Sequence, residues 1–147
     1  MKMFSMRRTG LRGFTLVELM VTIAVIAILA TIVIPTYQAQ IRKSRRTEAR
    51  TALLDAAARE EQYYATHNNY STAGPDLGYA ALPIDVGGKY YNLSATCTVV
   101  NKVCVDYTLT ATAINSQQND TQCATLTLTQ TGVQGATGTA NPADCWN

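Results

Sequence analysis

The chain has 147 residues, with twelve lysines and arginines against ten acids and a formal charge of +2. That is room for one domain, and a body so close to neutral gives no general reason to expect nucleic-acid binding. Much of the apolar content lies in one run, Phe14 to Ile34, so any soluble core has to come from the remainder.

Residues 1–13 carry Lys2, Arg7, Arg8 and Arg12 and no acid, which leaves eight basic and ten acidic side chains from Phe14 onward. The apolar run spans 21 residues, from 14 to 34. At a rise of about 1.5 Å per residue it covers roughly 31 Å as a helix, enough to cross the hydrocarbon layer of a bilayer. A basic start before an apolar run permits three readings. One is a secretory signal cut after the run, but PTYQAQIRKSRR offers no convincing small-x-small site. The others are an uncut anchor, and an anchor released from its leader by a cut between Gly13 and Phe14. Arg42, Lys43, Arg45 and Arg46 flank the far end as heavily as the leader flanks the near one, so the positive-inside count is nearly a tie.

Pro35 follows the run directly. It removes a backbone hydrogen bond, so a kink or local melting of the helix is expected there. From Tyr37 to about Thr66 the period is helical again, with Ala49, Ala52, Leu53, Ala56 and Tyr63 on one face, suited to packing on a sheet. Asp55 and Arg59 stand at the i, i+4 spacing that supports the exposed side. THNNY, from Thr66 to Tyr70, ends the helix, since asparagine adopts a left-handed C-cap more readily than other non-glycine residues.

Residues 71–88 mix Gly, Pro and Asp with isolated apolar residues and predict a long surface loop. Three period-2 runs follow, Lys89–Ala95, Val105–Ala113 and Ala124–Gln130, and predict an antiparallel meander. Tyr107, Leu109, Ala111 and Ala113 face inward, as do Leu126 and Leu128, with threonines between them. The tail from Thr131 holds too many glycines and turn formers for a strand, and Cys145 with Trp146 is expected to pin it to the domain.

Cys97, Cys104, Cys123 and Cys145 all lie in the last third. None of their spacings is the CxxC of a zinc ribbon, and the single histidine, His67, is far upstream, so disulfides in an oxidising compartment are expected. This also breaks the tie in orientation by placing the C-terminal part outside the cytoplasm. Of three pairings, Cys97 with Cys104 and Cys123 with Cys145 is favoured, because the first pair is close enough to bridge a hairpin. Chain-entropy bookkeeping gives about 2.5 and about 3.4 kcal/mol for the two loops. Asp120 and Asp144 are too few for a calcium cage, so no metal is expected, and no cofactor. His67 at a helix end suits capping better than catalysis. The glycosylation-like triplets at Asn92 and Asn119 are attributed to chance. RKSRR, from Arg42 to Arg46, offers a patch for lipid headgroups or subunit contact, with DNA as the weaker alternative.

Glu18 is the anomaly. A carboxylate inside a bilayer costs roughly 2.5–3.5 kcal/mol on insertion scales and normally implies a partner or a route to the interface. A cut before Phe14 makes Glu18 the fifth residue of the product, about one helical turn from a new ammonium and near the positive end of the helix dipole. That ammonium is its own or a neighbouring subunit's.

GFTLVELMVTIAVIAILATIVIP resembles the class III signal and N-terminal helix of type IV pilins. SRRTEARTALLDAAAREEQYY, from Ser44 to Tyr64, is similar to the pilin helix. YNLSA, YTLTATAINSQQNDTQCATLTLTQTGVQGATG and DCW resemble the PilE-type minor pilins of type IVa pili. The resemblance implies an α+β pilin fold, in which a long N-terminal helix packs on a small antiparallel sheet with a disulfide-closed C-terminal region. It implies a division into a cleaved leader (1–13), an assembly helix (14–36), the amphipathic half of the long helix (37–66) and the rest of the globular domain (67–147). It further implies a non-enzymatic pilus subunit, cut between Gly13 and Phe14 by a prepilin peptidase that methylates the Phe14 amine. Glu18 would align subunits and Pro35 permit local unwinding. Its partners would be other pilins, identical or not, the inner-membrane assembly platform and membrane lipid. Before assembly the subunit would cross the inner membrane once, N-terminus in the cytoplasm and globular domain in the periplasm; afterwards it would lie in an extracellular fibre. The 13-residue leader is longer than the common form, which brings Met3 and Met6 into competition with Met1 as the start. A major pilin, a type II secretion pseudopilin and a tip-located adhesive or DNA-binding module, working through residues 71–88 and the tail, are the alternatives.

Overall fold

The computed structural model describes residues 13–147. The basic leader side chains and the alternative starts Met3 and Met6 lie outside the described residues. The chain divides into two units at Gln38–Ala39, and helix α1 (Leu16–His67) contributes to both.

In the first unit, α1 is apolar and exposed, and by length and composition it is able to cross a membrane. Its threonine hydroxyls are satisfied on the helix itself: Thr22 donates to the Glu18 carbonyl at 2.7 Å, Thr31 to Ile28 at 2.7 Å and Thr36 to Ile32 at 3.0 Å. Hydrocarbon solvates no polar group, so this internal pairing lets threonine stand in such a segment. The local melting expected at Pro35 is absent, because the segment is helical on both sides of it. Proline removes one hydrogen bond, and the neighbouring turns keep theirs.

In the second unit, Ala49, Leu53, Ala56 and Glu60 are the buried residues of α1, spaced by four, three and four positions as one helical face requires. The helix ends as its sequence predicts: Asn68 has φ 58° and its N–H donates to the Tyr64 carbonyl at 2.8 Å. After a 3₁₀ turn at Gly74–Leu77 come β1 (Ile84–Val86), β2 (Tyr91–Thr96), β3 (Val99–Val100), β4 (Val103–Cys104), β5 (Thr108–Ala113), a second 3₁₀ turn (Asn115–Asn119), β6 (Thr125–Thr129), β7 (Gln134–Thr137) and α2 (Pro142–Trp146). Strands β1-β2-β5-β6-β7 form an antiparallel sheet in that order, and β3-β4 is a separate hairpin between β2 and β5.

The three expected strands are β2, β5 and β6, and their alternation places Tyr91, Leu93, Leu109, Ala111, Leu126 and Leu128 in the core against α1. Two expectations fail. The loop over 71–88 contains β1, a three-residue edge strand too short to show alternation. The tail, read as unable to form a strand, provides β7. Glycine is required there, since a Cβ at Gly135 would lie 2.5 Å from the Thr127 hydroxyl on the facing strand. Disulfides join Cys97 to Cys104 and Cys123 to Cys145, with Cα atoms 5.6 and 5.8 Å apart.

Candidate functional site

Gly13, Phe14 and Thr15 precede α1 in non-helical backbone, and all three are exposed, Phe14 at 84%. Among the described residues, no neighbouring atom comes within 4 Å of a Cβ built on Gly13. Thr15 caps the helix, its hydroxyl accepting the Glu18 N–H at 3.2 Å. Glu18 is the third residue of α1, and T-L-V-E has the form of a capping box, a signal in the sequence that accounts for a carboxylate at this position before any partner is invoked. The positive end of the helix dipole favours it further.

A second site is built on the start of the globular half of α1. The Arg45 guanidinium lies 3.6 Å from the centre of the Tyr90 ring and donates to the Ser116 hydroxyl at 3.1 Å. Asn115 donates to the Lys89 carbonyl at 2.8 Å, and Gln117 to the Arg42 carbonyl at 3.4 Å. The Arg42 carbonyl, the Arg45 guanidinium and the Lys89 carbonyl thus meet where α1, the Lys89–Tyr90 turn and the second 3₁₀ turn come together. Arg46 is withdrawn from this group, because both its Nε and one terminal nitrogen donate to buried Asp120 at 2.6 Å. The Asp120 hydrogen bonds raise the pKa of Arg46 against the opposing effect of its burial.

A family model described as "Type IV minor pilin ComP, DNA uptake sequence receptor" matches residues 35–127, and one described as a prokaryotic N-terminal methylation motif matches residues 10–34. The first covers more than half of the chain. The chain belongs to this type IV minor pilin family. The fimbrial protein EcpC of Eikenella corrodens is 34% identical over 134 residues, 88% of this chain and 76% of its own length. The major pilin PilE1 of Neisseria gonorrhoeae is 34% identical over 79 residues, 54% of this chain and 48% of its own length. The chain spans about half the length of the gonococcal relatives it matches. The solved structure of the Neisseria meningitidis non-core minor pilin PilV is 27% identical, covers 67% of this chain and 89% of its own, and superposes with a TM-score of 0.49.

The pilin's other candidate residues sit apart from these sites. His67 is exposed at the end of α1, stacked on Tyr63 with ring centres 4.1 Å apart and its Nδ1 3.2 Å from the Tyr63 carbonyl. The Cys123–Cys145 bridge ties α2 to the loop before β6, the Trp146 indole donates to the Gly135 carbonyl at 2.9 Å, and Arg50 donates to the Trp146 carbonyl. Sequence reasoning missed Glu60, a charged residue on the apolar face of α1 that the helical period flags as inward. It is fully buried, accepts the Ser71 N–H at 3.1 Å, and its other oxygen has no partner among the described residues. Burial, with smaller contributions from Glu61 and Asp76, outweighs the Ser71 hydrogen bond and raises its pKa to about 7. Next to it, the Tyr70 and Tyr107 hydroxyls donate to Glu61 at 3.4 and 3.3 Å, and burial raises both phenols.

Proposed function

We propose that this chain is a minor subunit of a type IV pilus, with division of labour 1–13, 14–36, 37–66 and 67–147. A prepilin peptidase cuts between Gly13 and Phe14 and methylates the Phe14 amine. The apolar part of α1 holds the subunit in the inner membrane, N-terminus cytoplasmic and globular domain periplasmic. From there the assembly platform moves it into a filament, where it packs against other pilins. Glu18 meets the amine freed at Phe14, its own or a neighbour's, and Pro35 lowers the cost of unwinding the helix during assembly. The observation that carries this reading is the exposed Gly13–Phe14 bond one turn from a capped Glu18 on a helix whose apolar side chains are unburied. Such a surface needs lipid or another helix against it. Mass spectrometry of the membrane-extracted protein tests it: the chain should begin at methylated Phe14, and a chain beginning at Met1 or lacking the apolar run refutes it.

A second reading, DNA contact by the assembled subunit, is favoured by the description of the matching family as a DNA uptake sequence receptor. Affinity for DNA comes largely from cations on phosphates. Residues 71–88 and 131–147 carry Asp76, Asp85 and Asp144 and no lysine or arginine, so this loop and tail have the wrong sign to lead the contact. The contact falls instead to Lys89 and Lys102, both exposed. Replacing Lys89 and Lys102 by glutamine should lower the salt dependence of duplex binding by about one unit of slope for each phosphate that is no longer neutralised. An unchanged slope means that neither lysine touches the duplex.

A further inference from the structure

We propose that residues 71–79 form a strap over the buried Glu60 carboxyl, closed while that group is protonated and released when it ionises.

Polar contacts with α1 hold the strap down. Glu60 accepts the Ser71 N–H at 3.1 Å, Arg59 donates to the Leu77 carbonyl at 3.1 Å, and the Tyr79 hydroxyl donates to Asp55 at 3.1 Å. Within the strap the Ser71 hydroxyl donates to Asp76 at 2.6 Å and accepts the Ala73 N–H at 3.1 Å, so the Glu60 contact is passed on to the first 3₁₀ turn. Leu77 is the one buried apolar side chain of the segment. A segment with so few apolar contacts opens at less cost than the sheet. A cleft of about 310 Å³, lined by Gln62, Tyr63 and His67 of α1 and by Asp76 and Leu77 of the strap, already brings solvent to the seam between them.

Beneath the closed strap a charge is badly placed. Glu60 is fully buried, and only one of its oxygens has a partner among the described residues. The titratable groups that face it are Glu61 on α1, Asp76 in the strap and the Tyr107 phenol beside β5, and none of them is a cation. Arg59, its neighbour in sequence, is taken by Asp55 and the Leu77 carbonyl. A carboxylate formed there is stranded without a counter-charge, and water admitted along the seam relieves it. With the strap open the group is an ordinary glutamate. Closure raises its pKa through burial, with smaller contributions from Glu61 and Asp76, so closure is fully supported below about pH 4.5 and weakens as the pH rises through about 7.

Hydrogen–deuterium exchange of the full chain in detergent, with disulfides intact and rates corrected for the intrinsic effect of pH, tests this in peptides covering Ser71 and Ala73. Opening of the wild-type strap should increase on the order of a hundredfold between about pH 4.5 and about pH 8. It should depend little on added urea, while β5 exchanges through the urea-sensitive global route. Glu60→Gln should abolish the rise. Ser71→Ala should loosen the strap equally at both pH values and keep the rise. A wild type without the rise overturns the proposal, and so does strap exchange that shares the urea dependence of β5, which makes Glu60 a matter of global stability alone. A rise that survives Glu60→Gln but not His67→Gln, or that is lost in Ser71→Ala, assigns the response to another group and overturns it too.

Discussion

Replacing Asp120 by alanine leaves the Arg46 guanidinium in a site made for a carboxylate. The Asp120 side chain is 1% exposed and that of Arg46 11%, and two hydrogen bonds of 2.6 Å join them. Gln117 adds a third contact, donating to Asp120 at 3.0 Å and to the Tyr91 hydroxyl at 3.1 Å. The pair is therefore a strut between α1 and the second 3₁₀ turn. Removing one member of a buried pair costs about 3–5 kcal/mol, chiefly through the stranded charge. Arg46 keeps a narrow outlet to water and its hydrogen bond to Gln122 at 3.2 Å, so the lower end applies, about 3 kcal/mol. With a urea slope of about 1.5 kcal/mol per M, that moves the midpoint down by roughly 2 M. The assay is urea unfolding of the detergent-solubilised chain with disulfides intact, followed by the fluorescence of Trp146. A shift corresponding to less than about 1 kcal/mol would mean that the pair behaves as a surface ion pair, and the reasoning from burial would fail. The double variant Arg46→Met/Asp120→Leu removes the stranded charge and should recover most of the loss.

Glu60 predicts a pH dependence of the opposite sign from an ordinary salt-bridged acid. Its folded pKa of about 7 lies above the ordinary glutamate value of 4.5, so the folded state binds the extra proton and stability falls as pH rises from about 4.5 to about 7. The fall is up to about 3 kcal/mol, and Glu60→Gln should abolish it in urea midpoints measured across that range. A pH-independent wild type would refute the assignment. Cys123→Ser/Cys145→Ser opens the loop holding α2 and should cost about 3 kcal/mol, with Trp146 exposed to quencher while the far-ultraviolet spectrum is retained. Gly135→Val places a branched side chain against Thr127 and should raise amide exchange through β7 but not β2, seen by hydrogen–deuterium exchange. Glu18→Ala should leave membrane insertion intact and remove the subunit from sheared filaments; normal incorporation would reduce Glu18 to its capping role.

The helix and the three central strands are legible in the sequence because their signals are periodic and long. Ala49, Leu53 and Ala56 repeat at helical spacing, and Leu109, Ala111, Leu126 and Leu128 alternate with threonines over strands long enough to show it. The edges are not legible. Strand β1 has three residues, and β3 and β4 turn through Asn101 and Lys102 at φ 50° and 69°, a two-residue hairpin without the glycine that usually marks one. Strand β7 reads as turn because Gly135 is chosen for its lack of a side chain opposite Thr127, a constraint visible only across the sheet. At the site, the T-x-x-E cap is written in the sequence but hidden by the apolar run that contains it. The buried Glu60 stands on a face whose other members are apolar, and its partner Ser71 lies in a segment with no period at all.

The indole of Trp146 has one further consequence. By bonding the Gly135 carbonyl it fixes α2 against β7, the strand at one rim of the sheet, while the opposite rim, β1, is only three residues long. An open strand rim is a template on which another chain can zip itself into a ribbon, and stunted or stoppered rims prevent it. A protein proposed to polymerise faces this hazard acutely, because its copies are delivered to one another at high local density. With one rim short and α2 packed on the strand at the other, the route to disordered aggregates is narrowed, and the proposed helix-to-helix joining is left with less competition.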